Sequence, residues 1–130
     1  EIPEPLREGV GNHVYGCDVC QEVCPWNDQA KRSSDPVWQP IQIFDQPKIA
    51  GLWRQSDDEL RPVVKESAMA RAGLRGLRRN IAVALGNSLT QDDAMAMSEP
   101  INDNSKSDPL VAQHLSWSRR RLGSDVDKIG

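Results

Sequence analysis

Hydrophobic positions along this chain fall into two regimes. In the second half they recur at helical spacing. Leu77, Ile81, Ala84 and Leu85 share one face of a 3.6-residue period ahead of Gly86, and Leu110, Val111, Leu115 and Leu122 repeat the pattern ahead of Gly123. In the first half no period is sustained. Residues 28–58 mix Pro36, Pro40 and Pro47 with aromatic and polar side chains, which predicts an extended connector packed through Trp38, Ile41, Ile43, Phe44, Leu52 and Trp53.

Capping and breaking residues mark the expected ends of the helices. Ser56-Asp-Asp-Glu59 reads as a capping box, in which the Ser hydroxyl and the Glu carboxylate satisfy orphan amides at a helix start. Pro62 lies far inside that helix, so its regular part is expected to begin nearer Arg61. Gly73 and Gly76 are expected to end it, and Gly86 to close the next. A third helix passes through Met95 and Met97 before Pro100, and Asp108-Pro109 supplies an N-cap followed by Pro at the first helical position for a fourth, stopping at Gly123. Met69, Met95 and Met97 read as core filler, Trp117 as a packing residue and His114 as a half-exposed helix residue. Short paired helices that each bury one face against a neighbour form a repeat stack.

Composition agrees with this picture. With 38% hydrophobic and 27% charged residues but a single Phe and a single Tyr, the chain suits a small helical core better than a β-sandwich. Its 130 residues suffice for one ordinary domain, or for a small cofactor-binding segment joined to a small helical one. No apolar run approaches the roughly 20 residues that cross a bilayer, and the opening has no secretory signal, so a soluble, cytoplasmic protein is expected. The polar, Pro-containing opening from Glu1 to Arg7 gives no reason to start a fold and reads as the interior of a longer chain.

The net charge of −3 conceals an asymmetry. Residues 1–60 carry 11 acidic and 5 basic side chains, residues 61–79 carry 1 and 6, and residues 80–130 carry 7 and 5. One segment is therefore +5 within an acidic chain, as an electrostatic footprint for phosphate would be. A solvated helix face is the alternative.

All three cysteines lie within eight residues, Cys17-Asp-Val-Cys20-Gln-Glu-Val-Cys24-Pro25. An odd count at such spacing argues against a disulfide framework and toward a metal or cluster site. The segment reproduces the last three cysteines and the proline of the bacterial ferredoxin run C-x2-C-x2-C-x3-C-P, with Val14 where the first cysteine would fall. In two-cluster ferredoxins the cysteine before proline ligates the other cluster, so Cys17 and Cys20 are expected on one [4Fe–4S] cluster and Cys24 on a second. Zinc is the rival, because His13 completes a Cys3His set. Pro25 and the lack of a second ligand pair at finger spacing weigh against it, and free thiols are a third reading.

Two stretches carry a family resemblance. The run from Gly11 to Asn27, with Gln21 after the second cysteine and the Pro25-Trp26-Asn27 ending, resembles the second cluster motif of the epoxyqueuosine reductase family. The run from Gly76 to Asn87 resembles the first helical repeat of that family's carboxy-terminal domain, and the likeness spans roughly residues 1–123. It implies a cobalamin-binding region upstream, a ferredoxin-like domain holding two [4Fe–4S] clusters, then HEAT-like helices. It also implies reduction of epoxyqueuosine to queuosine at the wobble position of tRNAs for Asp, Asn, His and Tyr, by a monomer fed by an electron donor. The family's cobalamin contacts and catalytic acid fall outside this chain. A departure lies in the last repeat, where Ala112 stands in place of the usual Arg and Arg119-Arg120-Arg121 follows.

The expectation is therefore a mainly α chain: residues 1–27 ending a ferredoxin-like iron–sulfur domain, 28–55 a connector, 56–123 HEAT-like repeats and 124–130 a tail. Cys17, Cys20 and Cys24 are its cluster ligands, and Arg71, Arg75, Arg78 and Arg79 its candidates for RNA phosphate. Competing classes are a ferredoxin-type electron carrier with a helical partner-binding module, a corrinoid reductase of dehalogenase type, and a zinc-stabilised interaction protein.

Overall fold

The computed structural model describes residues 1–31, 33–39, 41–44, 48–88, 90–100 and 103–126, with the backbone alone for 124–126. Among them are α-helices α1 (Glu4–Arg7), α2 (Val19–Glu22), α3 (Ile49–Arg54), α4 (Asp57–Lys65), α5 (Gly73–Ser88), α6 (Gln91–Ser98) and α7 (Pro109–Val126), and no strands. The mainly helical expectation holds. Two compact units form: residues 1–15 with 48–130, and residues 16–47.

The larger unit is organised around α5. Leu77, Ile81, Ala82, Val83, Ala84 and Leu85 are all fully buried, so the helix is covered on nearly every side, as a core helix must be. It packs chiefly on α7, whose buried residues include Val111, Leu115 and Trp117, and also on α3, α4 and α6. Each fully buried Leu or Ile contributes about 1.5–3 kcal/mol relative to exposure. Gly86 does not close α5, which runs on to Ser88. A Cβ on Gly86 would lie 2.8 Å from the Ser118 Cα and 2.5 Å from its Oγ, so this glycine lets α5 and α7 approach closely. The Ser118 hydroxyl donates across the same contact to the Ala82 carbonyl at 2.6 Å.

The capping box of α4 is present in both halves: the Ser56 Oγ accepts from the Glu59 amide at 3.3 Å, and a Glu59 carboxylate oxygen accepts from the Ser56 amide at 2.8 Å. The helix begins at once at Asp57 rather than near Arg61, and carries Pro62 inside it. Pro62 forfeits one backbone donor and sits on the exposed face of the helix. Gly73 and Gly76 do not end this helix. It stops at Lys65, a 3-10 turn covers Ala68–Arg71, and Gly73, at φ +65°, swings the chain into α5. α7 likewise passes Gly123 and extends to Val126.

Burial corrects several side-chain expectations. Leu52 and Trp53 are core residues of α3, whereas Trp38 and Ile41 are exposed; Pro40 and Pro47 of the expected connector lie outside the described residues. Met97 is core, Met69 half-buried and Met95 exposed. His114 is fully buried rather than half-exposed. Its Nε2 accepts from the Ile2 amide at 3.2 Å, and its Nδ1 lies 2.7 Å from the Leu110 carbonyl. A carbonyl can only accept and an amide only donate, so the ring is neutral with its proton on Nδ1. Burial pushes its pKa below the ordinary value, the Arg7 and Arg79 charges adding to the effect against the two backbone hydrogen bonds.

Candidate functional site

The cysteine loop belongs to the smaller unit. Asp18 opens the single turn of α2, its carbonyl accepting from the Gln21 and Glu22 amides at 2.8 and 2.9 Å. Cys17 precedes this turn, Cys20 lies in it and Cys24 follows it. The loop is then clipped by its own side chains. The Asn27 amide group donates to the Gln21 carbonyl at 2.9 Å and to the Gln21 side-chain oxygen at 3.0 Å, while the Asn27 backbone amide reaches the Cys24 carbonyl at 2.9 Å. Gln21 and Asn27, flanking Cys24 in sequence, are thus the two ends of one clasp around it.

All three thiols are free; Cys17 and Cys20 are exposed and Cys24 is half-buried. Among the described residues no three His, Cys, Asp or Glu side chains are gathered as a metal ion would gather them, these cysteines included. The donor set nonetheless suits iron–sulfur chemistry: three accessible soft thiols on one eight-residue loop, none spent on a disulfide.

Tertiary structure separates the four arginine candidates. Arg78 is fully buried and therefore is not a phosphate contact. Its Nη1 donates to the Leu52 and Trp53 carbonyls at 3.4 and 3.0 Å, its Nη2 to the Gln55 carbonyl at 2.6 Å and to Asp57 Oδ1 at 3.0 Å, and its Nε to Ser105 Oγ at 3.2 Å. It thereby satisfies the carbonyls left open where α3 ends. Asp57 also accepts from the Ser105 amide at 3.0 Å and from its hydroxyl. Burial alone would raise the Asp57 carboxyl, but the Ser105 hydrogen bonds and the Arg78 guanidinium outweigh it and hold the pKa below its ordinary value.

Arg79 is half-buried and spends its Nε and Nη2 on the Asn80 side chain at 3.0 and 2.8 Å. Arg75 is exposed but pairs with Asp108 at 2.8 Å, a bond that heads the causes lowering the Asp108 carboxyl. Arg71 alone of the four is exposed and has no such partner among the described residues. Arg119, Arg120 and Arg121 hold structure together as well, through the Met97 carbonyl, Glu4 and Glu8 respectively.

The same segment holds two cations that the run of arginines draws attention from. Arg61 and Lys65 lie on the exposed face of α4 and line a groove of about 250 Å³ with Val64, Ala70, Gly73 and Leu74. Their signal in the sequence is the i, i+4 spacing within a helix already marked by its capping box.

These features define a helical module with a clasped, thiol-bearing loop in a separate small unit. The comparisons with known proteins specify it further. The chain is 34% identical to an epoxyqueuosine reductase of Escherichia coli (strain K12) over 117 residues, which is 90% of this chain and 30% of that protein. It is 35% identical to one of Pseudomonas aeruginosa over 127 residues, 94% of this chain and 33% of that protein, and 33% identical to one of Xanthomonas campestris pv. campestris over 122 residues, 94% and 34%. The resemblance to the epoxyqueuosine reductase family therefore stands, and the chain spans about a third of the length of the curated relatives it matches. No family model and no solved structure matches it. No helix among the described residues is long and apolar enough to cross a membrane.

Proposed function

We propose that this chain is the cluster-bearing and RNA-facing part of a cytoplasmic epoxyqueuosine reductase. The larger protein would reduce epoxyqueuosine to queuosine at the wobble position of tRNA, using cobalamin and two [4Fe–4S] clusters. Residues 16–47 would belong to a ferredoxin-like cluster domain and the helices of the larger unit to a HEAT-like repeat stack. The observation that carries the reading is identity of about a third with enzymes of that name over nine-tenths of the chain, the cysteine loop included.

Cys17 and Cys20 would hold one cluster and Cys24 the other, because the cysteine before proline crosses to the partner cluster in such runs. When bound, the clusters supply one-electron transfer, and the difficult chemistry is the cofactors' own. The chain's contribution is to present three thiolates and, through the Gln21–Asn27 clasp, to hold the segment bearing Cys24 in one conformation. No residue here is assigned to cobalamin or to proton donation.

Iron and acid-labile sulfide analysis of the intact protein tests the reading. Two [4Fe–4S] clusters are expected, with Cys24→Ala perturbing a different one from Cys17→Ala or Cys20→Ala. Bound zinc without sulfide, or turnover of epoxyqueuosine tRNA undiminished in Cys17→Ala, would overturn it.

A further inference from the structure

We infer that the groove between α4 and the start of α5 seats the sugar–phosphate backbone of RNA, with Arg61, Lys65 and Arg71 as its cations. The inference rests on the RNA-acting reading above and names the surface that would carry it.

Three observations converge on this groove. The first is elimination within the +5 segment. Of its six cations, Arg78 is buried, Arg75 is held by Asp108 and Arg79 by Asn80, whereas Arg61, Lys65 and Arg71 are exposed and lie within ion-pair distance of no carboxylate among the described residues. Of the two acids at helical spacing before Arg61, Asp57 spends its oxygens on Arg78 and Ser105 instead, and Asp58 forms no ion pair with it.

The second is placement. Arg61 and Lys65, one turn apart on α4, line the same groove, and Arg71 directly follows Ala70, another lining residue. Like charges one helical turn apart, neither drawn into an ion pair among the described residues, disfavour the isolated helix, and an anion bridging them removes that cost.

The third is the floor. Val64, Ala70, Gly73 and Leu74 are apolar, and a Cβ on Gly73 would meet nothing within 4 Å, so the backbone there is open to close approach. A cationic rim over an aliphatic floor suits a strand whose phosphates face the rim and whose ribose faces the floor, with guanidinium forks engaging phosphate oxygens in pairs. Such contacts position RNA without reading its sequence.

The test is the salt dependence of affinity of the intact protein for a tRNA-Asp transcript, measured for wild type and for the triple variant Arg61→Ala/Lys65→Ala/Arg71→Ala. Each lost phosphate contact lowers the slope of log K against log salt by roughly 0.7–0.9, so the triple variant should lose about 2–3 units of slope. Between 50 and 200 mM salt the wild-type affinity should then fall roughly 20- to 40-fold more than that of the variant. If wild type binds the transcript and the triple variant matches its affinity and slope, the groove is not the RNA seat. An equal loss in Arg54→Ala/Arg75→Ala/Arg120→Ala, whose guanidiniums pair with Glu99, Asp108 and Glu4, would trace the effect to net charge and also overturn the inference. Failure of the wild-type protein to bind any tRNA would instead remove the RNA-acting reading, and the inference with it.

Discussion

Arg78→Ala provides the sharpest test of what the buried arginine does. The substitution deletes a fully buried guanidinium that serves five acceptors, the carbonyls of Leu52, Trp53 and Gln55, the Asp57 carboxylate and the Ser105 hydroxyl. The open carbonyls at the end of α3 lose their donor, and Asp57 is left with Ser105 alone in a site where burial already penalises its charge. Removing one member of a buried ion pair costs about 3–5 kcal/mol, most of it the cost of the stranded partner. With a urea slope of about 1–3 kcal/mol/M, a loss of about 4 kcal/mol moves the unfolding midpoint by roughly 1.3–4 M. Arg78→Lys should recover only part of this, since one ammonium cannot span acceptors arrayed around a planar fork. In a double-mutant cycle with Asp57→Ala the coupling should be about 1–3 kcal/mol, and the double variant should be less damaged than the sum of the single ones. The measurement is urea denaturation of the intact protein followed by circular dichroism. A midpoint shift below about 0.3 M in Arg78→Ala would refute the structural role and return this arginine to the candidates for RNA.

Two further outcomes follow from the packing of α7. Gly86→Ala, which in an exposed helix would gain about 1 kcal/mol, should here cost about 1–3 kcal/mol, because the new methyl meets the Ser118 backbone as well as its side chain; a raised thermal midpoint would contradict that close approach. His114 is neutral and its folded pKa is depressed, so the stability it contributes is complete above its ordinary value and is lost as pH falls through the lower, folded value. The urea midpoint should therefore drop on acidification from pH 7 toward pH 5, and His114→Gln should flatten that drop; an unflattened profile would show that another group is responsible.

Much of the local structure was legible in the residues themselves. The capping box at Ser56, the Asp108-Pro109 start of α7 and the apolar stripe of α5 are short-range patterns whose energetics involve neighbours within about two turns, and all three are realised. The helix ends set by glycine were not legible in the same way. Gly73, Gly76 and Gly86 all read as stops, but only tertiary packing distinguishes a glycine that ends a helix from one that makes room for a neighbour, and Gly86 makes room for Ser118.

For the candidate site the division is equally physical. Cysteine spacing by itself pointed to a cluster loop, because ligands that wrap one small object must be close in sequence. The excess of positive charge over residues 61–79 was likewise present in composition alone. Which of those cations remain free was decided only by the fold. A guanidinium is equally suited to phosphate and to orphan carbonyls, and whether Arg78 meets one or the other depends on α3 and Ser105, elements some 25 residues away on either side that no local pattern connects to it. Arg61 and Lys65, on the exposed face of α4, were left over by that same partition, because Asp57, one of the two acids at helical spacing before Arg61, had already been claimed from across the core and Asp58 forms no ion pair with it.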